Sequence, residues 1–401
     1  MTKSFKIIQI SNRIPYPLNE GGTIGIYNYT RGFKEANCEV TLLALDAKKH
    51  HTDIENAKNE LEKYAEVEIY PIDTDVRLIP ALKNLFTPDS YNVERFYSKD
   101  FELAIAQKLQ SNDFDIIQIE GTYPARYTEV ILKNKGPAKV VLRQHNVEYQ
   151  IWERLSKNAR NPLKKWYFHL LSNRLKEYER EHLNQFDAVV PVTPDDGRLF
   201  EGLGCTKPIF PSPAGIDVNI WKPEKASDHK SIYHIGSLEW MPNVEALMWF
   251  LDEVWPLVLE DQSDLKLYVA GKGMPDEIRQ MKIRGVTMVG EVDDAPEFIK
   301  DKAISIVPLK SGSGIRLKIL EAMSAGKAVV STSIGAQGID CTDGYDIAIA
   351  DDAKAFAHQI VSLSSDTDAL NEMQMNARKT ILEKYSNESV IRGLLDFYQS
   401  L

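Results

Sequence analysis

The chain has 401 residues, 43% hydrophobic and 26% charged, which suits two or three globular units at roughly 150 residues each and excludes a wholly disordered, collagenous or coiled-coil protein. Its 48 lysines and arginines against 58 aspartates and glutamates leave a formal charge of -10, which argues against polymeric nucleic acid as a partner. Cys38, Cys205 and Cys341 are odd in number and far apart, so they suggest neither a disulfide framework nor a zinc site, and a cytoplasmic setting fits. The apolar run before Ser11 is too short for the core of a signal peptide, and no stretch approaches the ~20 residues needed to cross a bilayer.

Short β-branched runs alternate with segments of helical period, the grammar of parallel sheets covered by helices. The first series predicts strands at Phe5–Ile10, Val40–Leu45, Val67–Ile72, Ile116–Glu120, Val140–Gln144 and Ala188–Val192. A proline- and glycine-rich crossing, Gly202–Pro223, follows, with a boundary placed near Thr206. The second series predicts Ile232–Ile235, Leu265–Ala270, Val286–Val289, Ile304–Val307, Val329–Ser331 and Ile347–Ala350. Between its first two strands, Asn243–Val258 is an amphipathic helix that Pro256 should kink or end. The fold class is therefore α/β, with two Rossmann-like, doubly wound parallel-sheet domains.

In such sheets ligands bind at the carboxyl ends of the strands. After the first strand, Gly21 and Gly22 sit in a turn leading into the helical pattern Ile24–Phe33, where backbone N–H groups can approach an anion. A plain structural turn fits the same residues. His145 arrives at the end of Val140–Gln144, placed to meet a sugar hydroxyl or developing charge, or else to cap the next helix.

The most informative segment runs from Val307 to Lys327: a strand end, a glycine-serine loop, a helix expected from about Ser313, and Gly326 as its stop. Ser313, Gly314 and Ile315 offer backbone amides to a diphosphate, and Arg316 and Lys318 offer positive charge where a helix start disfavours it. Glu321 stands among apolar neighbours and can accept from the two hydroxyls of a ribose; a surface pair with Lys318 is the alternative. Gly236 and Ser237, opening another helix after a strand, form a second candidate phosphate loop. Gly290, Glu291 and Val292 offer backbone groups to a nucleobase edge.

Gly312–Thr332, with Pro213–Asp217 and Gly236–Asn243 upstream, resembles the retaining glycosyltransferases of family 4. The likeness spans nearly the whole chain and is most specific over Ser311–Thr332. It implies the GT-B fold, two domains facing a central cleft. The first domain would be 1–206, on the acceptor side, joined by a returning helix in 381–401, and the donor domain would be 207–380. It implies transfer of a sugar from a nucleotide-diphosphate sugar to an acceptor hydroxyl with retention, no cofactor and no required metal. On this likeness Glu321 matches the second glutamate of a paired motif, the one that binds the donor ribose, whereas Ser313 stands where the first would be. Gly236-Ser237 likewise replaces a common Gly-Arg, so Arg316 and Lys318 would neutralise the donor phosphates. His145 matches the histidine beside the donor sugar, and Gly21-Gly22 the loop near the donor phosphates and acceptor.

The product would be a cell-surface glycan, polysaccharide or glycolipid. Alternatives are a nucleotide-sugar epimerase of the same fold, a non-catalytic nucleotide-sugar-binding protein, and a metal-dependent transferase using Asp73-Thr74-Asp75. Arg160–Leu171, with Arg174 and Lys176, mixes cations and aromatics, so a glycan or lipid-linked acceptor could be met at the inner face of an anionic membrane. A helix packed on its sheet with a solvated basic face explains the same composition.

Overall fold

The computed structural model describes residues 4–18, 21–47, 53–75, 84, 90–159, 161–224, 229–311 and 314–401. The chain divides into two compact units, Met1–Gly215 with Val390–Leu401, and Ile216–Ser389. Gly312, Ser313 and Arg160 lie outside the described residues.

The first unit is built on six parallel strands: β1 (Lys6–Ser11), β2 (Glu39–Ala47), β3 (Glu66–Ile72), β4 (Ile116–Glu120), β5 (Lys139–Gln144) and β6 (Ala188–Pro191), in the order β3-β2-β1-β4-β5-β6. Ile8 pairs with Thr41 on one side and Ile117 on the other. The apolar runs of β1, β4, β5 and β6 are buried on both faces, as a helix-covered parallel sheet requires, while the edge strand β3 is only partly covered. The second unit holds β7 (Ser231–Ile235), β8 (Lys266–Ala270), β9 (Val286–Gly290), β10 (Ile304–Val307), β11 (Ala328–Ser331) and β12 (Ala348–Ile349), ordered β12-β11-β10-β7-β8-β9. Counted from its own first strand, this is the same order as in the first unit. In each sheet the order reverses between the first and fourth strands, so the crevices open beyond β1/β4 and beyond β7/β10.

The unit boundaries differ from those read in the sequence. Residues 207–215 stay with the first unit because they extend its sheet edge: Val189 N–H donates to Pro208 O (3.0 Å), Phe210 N–H to Val189 O (3.1 Å) and Ser212 N–H to Pro191 O (2.8 Å). Residues 381–389 stay with the second, where Ile381 and Tyr385 are core and Ile216 N–H donates to Tyr385 O (2.8 Å). From Val390 onward helix Asn387–Ser400 belongs to the first unit, burying Leu394, Leu395 and Tyr398 with Phe33 and Val141 and stacking Phe397 on Phe210 at 4.8 Å.

Pro256 does not end its helix. Met241–Trp249 passes through a wider turn at Phe250–Val254 and continues as Trp255–Asp261, with Pro256 in the first turn of that last segment. The wider turn accommodates the missing N–H that a regular α-helix would leave unpaired. No helix among the described residues is long and apolar enough to cross a membrane.

Candidate active site

In the second unit the loop after β7 carries Gly236 and Ser237, and helix Leu317–Ser324 brings Lys318 to it. Lys318 Nζ donates to Asn243 Oδ1 (2.9 Å), and Asn243 Nδ2 donates to Ser237 O (2.8 Å). A β-carbon at 236 would meet the lysine ammonium and press on Asn243 Nδ2, so a glycine leaves the lysine its place. The pieces read separately in the sequence, Gly236-Ser237 and Lys318, thus form one cationic cradle. Asn243, which orients the lysine, lacked a sequence signal beyond its place at a helix start.

The helix begins at Leu317, with Arg316 as its N-cap in extended backbone (φ -88°, ψ 91°), four residues later than a start at Ser313. Arg316 is therefore outside the helix, as are Gly314 and Ile315. Its Nη1 donates to Gly314 O (2.7 Å), and its guanidinium lies 5.6 Å from the ring centre of Trp240, an exposed aromatic beside the cradle. Gly326 ends the helix as expected: in a left-handed conformation (φ +64°), it donates to Met323 O (3.0 Å) while Lys327 N–H donates to Ala322 O (2.9 Å).

Glu321 lies one turn along from Lys318. Burial pushes its carboxyl up to about 7, against the opposing pull of Lys318. Lys318 is brought down to about 8 by burial and by the Arg316 charge. No hydrogen bond to the Glu321 carboxylate is present among the described residues. Across this unit Gly290 closes β9, its carbonyl accepting from Gly271 N–H (2.8 Å), and Glu291 is exposed just beyond. The guanidinium of Arg279 lies 3.5 Å from the position a β-carbon on Gly290 would take, a neighbour not anticipated from sequence.

In the first unit Gly21 and Gly22 open helix Gly21–Glu35 as its first turn, where the backbone N–H groups lack intrahelical partners. Arg13, two residues past β1, lies over Gly22, with Nη1 at 3.6 Å from its would-be β-carbon. At the end of β5, His145 Nε2 is 3.0 Å from Glu120 Oε2, which also accepts from Arg143 Nη1 at 3.0 Å. The ion pair is fully buried, and the Arg143 guanidinium covers the Tyr29 ring at 3.7 Å. Burial alone would raise Glu120, but Arg143 and the His145 bond outweigh it and hold the carboxyl down to about 2. Burial and Arg143 lower the His145 imidazole below its ordinary value, against the pull of Glu120.

Arg13, Glu120 and Arg143 were missed in the sequence. Their signal is faint: Gln9, Gln118, Glu120 and Arg143 are polar residues inside otherwise apolar strands, and all are buried. Asp73, by contrast, accepts from Asp75 N–H (3.1 Å) in a local turn. Among the described residues, no group of three or more His, Cys, Asp or Glu stands together as a metal site would require.

These features agree with comparisons to known proteins. The family described as Glycosyltransferase Family 4 matches residues 20–220, and Glycosyl transferases group 1 matches residues 229–366. A Klebsiella pneumoniae chain named "Uncharacterized 44.6 kDa protein in cps region" is 26% identical over 97% of this chain and 98% of its own length. The lipopolysaccharide core biosynthesis mannosyltransferase LpsB of Rhizobium meliloti (strain 1021) is 28% identical over 35% of this chain and 38% of its own. Among solved structures, Anabaena HepE in complex with UDP superposes with a TM-score of 0.66 at 14% identity, covering 99% of this chain and 100% of that one. S. aureus TarM, solved with Fondaparinux, alpha-GlcNAc-glycerol and UDP, gives 0.65 at 14% identity over 98% and 99%. The sequence motifs, the two like-ordered sheets and the family matches agree: the chain belongs to glycosyltransferase family 4 and is a glycosyltransferase of the GT-B fold.

Proposed function

We propose that the enzyme transfers a sugar from a nucleotide-diphosphate sugar, with UDP as the first nucleotide to test, to an acceptor hydroxyl with retention and without a metal. The observation that carries this reading is the cradle of Gly236, Ser237, Asn243 and Lys318, with Arg316 beside it, at the sheet's reversal point. In such a site the leaving diphosphate gains negative charge as the glycosidic bond breaks, and preorganised cations and amides lower that barrier. Glu321, its carboxyl raised to about 7, accepts from the donor ribose when ionised; His145, donating to Glu120, offers its imidazole to the transferred sugar. We propose front-face attack through an oxocarbenium-like transition state, a path that calls for no carboxylate nucleophile.

UDP in the HepE and TarM structures supports the donor class. The names of the Klebsiella and Rhizobium relatives support a cell-surface polysaccharide or lipopolysaccharide acceptor. Thermal shift with nucleoside diphosphates tests the reading: UDP at 100 times its dissociation constant should add about 2.7 kcal/mol of apparent stability. No response to any nucleoside diphosphate would overturn it.

A further inference from the structure

Directly after His145 and Asn146 the chain forms a helical hairpin, Glu148–Asn158 and Pro162–Leu183. Its arms are held in antiparallel register by Ser172 Oγ donating to Tyr149 O (2.9 Å), Trp152 edge-on to Phe168 (5.6 Å) and Ser156 Oγ donating to Lys165 O (3.0 Å). The base is anchored in the unit: Leu171, Leu175, Glu179 and Leu183 are buried, and Glu179 accepts from the N–H groups of Glu148 (3.0 Å) and Tyr149 (3.1 Å). The outer part is not. Ser156 is the sole buried residue of the first arm, and the second has none before Leu171.

At this outer end Leu163 is 78% exposed, Trp166 58% and Leu155 44%. Leu163 and Trp166 are three residues apart, on one face of the second arm. Lys164 and Lys165 flank them, both exposed, and Lys157, also exposed, pairs with Glu153 (3.0 Å). Apolar groups left in water beside lysines are poorly explained by folding alone, and this protein carries a formal charge of -10. Tryptophan and leucine between lysines match the interfacial layer of an anionic bilayer, where the ring and aliphatic chains enter the acyl boundary and the ammonium groups meet phosphates. Packing of the helix on its sheet does not account for the tip, where Leu163, Trp166 and Leu155 stay exposed.

We infer that the tip of this hairpin docks on an anionic membrane and holds the end of β5 close to the lipid surface. The first arm, 11 residues long, spans about 16 Å, which sets the separation between the tip and the end of β5. That distance suits an acceptor carried on a lipid, whose own polar head reaches up from the bilayer. The docking stands on the hairpin alone; the lipid-borne acceptor rests on the glycosyl-transfer reading.

The test sediments the full-length protein with phosphatidylcholine vesicles and with vesicles in which phosphatidylglycerol replaces a third of the lipid. Binding to the anionic vesicles only, weakening as salt is raised, is the expected result. The pair Leu163→Glu and Trp166→Glu should abolish it, and Lys164→Ala with Lys165→Ala should weaken it about 25-fold, at roughly fivefold per lysine. Melting temperatures and the thermal response to UDP should match the parent in all variants, because the substituted side chains are exposed and none belongs to the nucleotide cradle. Equal binding to both vesicles, no binding, or variants that bind like the parent would overturn the docking. So would a concentration-dependent dimer that the Leu163→Glu variant dissolves, which would make the tip a protein contact. Absence of a UDP response in the parent would overturn the donor reading and leave the vesicle result standing.

Discussion

The ammonium of Lys318 fills the space in which a side chain at residue 236 would begin, 2.6 Å from the position of a β-carbon on Gly236. A lysine end is mobile enough to retreat, so Gly236→Ala should fold with a melting temperature close to the parent's. The displaced charge should nevertheless weaken UDP binding by between ~10- and ~100-fold, the worth of a charge-assisted hydrogen bond. Lys318→Met should do the same, and the double variant should be little worse than either. Calorimetric titration with UDP measures all three; additive losses would show that the two residues act separately.

The pH dependence of UDP binding follows from the same pair. Glu321 is raised to about 7 and must be ionised to accept from ribose hydroxyls, so affinity should fall as pH drops below about 7. Lys318 is lowered to about 8 and must be protonated to neutralise phosphate, so affinity should also fall as pH rises above about 8. The profile should be bell-shaped with its maximum between these values. Glu321→Gln should remove the acidic limb and Lys318→Met the basic limb.

Without ligand, Glu321 affects stability with a definite sign. Its folded pKa lies above that of an unfolded glutamate, so the native state binds the extra proton. The stabilisation is fully present below the unfolded value near 4.3 and is lost as pH rises through about 7. Glu321→Gln should flatten the fall in melting temperature over that window. A parent and variant with parallel pH curves would contradict the assignment.

Removing Glu120 leaves Arg143 charged and fully buried. Glu120→Gln should therefore cost about 3–5 kcal/mol by chemical denaturation, and Glu120→Gln with Arg143→Met should recover much of it. The double variant also frees His145 from its carboxylate partner. If Glu120 orients the imidazole, donor turnover should stay low in the refolded double variant while UDP affinity is unchanged.

A metal-independent transfer should keep its full rate in excess chelator, and a retaining one should give product with the donor's anomeric configuration by proton NMR. Loss of activity with chelator, restored by a divalent ion, would overturn the first expectation. An inverted product would overturn the second.

Much of this molecule is written locally. The twelve strands among the described residues sit where β-branched runs place them; in the inner strands this is because a strand buried on both faces needs apolar residues throughout its length. Gly326 likewise ends its helix for a reason visible in a few residues, the left-handed conformation its position adopts. The placement of His145 and Gly236 at strand ends, and of Lys318 and Glu321 on the helix that follows β10, was also legible. The start of helix Leu317–Ser324 was not, because the residues before it share its composition and Arg316 caps it without a side-chain hydrogen bond.

Tertiary structure alone decided the partnerships. Lys318 and Asn243 are 75 positions apart and Glu120 and His145 are 25 apart, and they meet because the crossovers place β10 beside β7 and β5 beside β4. It also decided that the basic aromatic helix leaves its first turns uncovered, and that Val390 onward rejoins the first unit. Residue periodicity specifies which face an element must bury. What it is buried against depends on strand order and chain crossing, which no local pattern encodes.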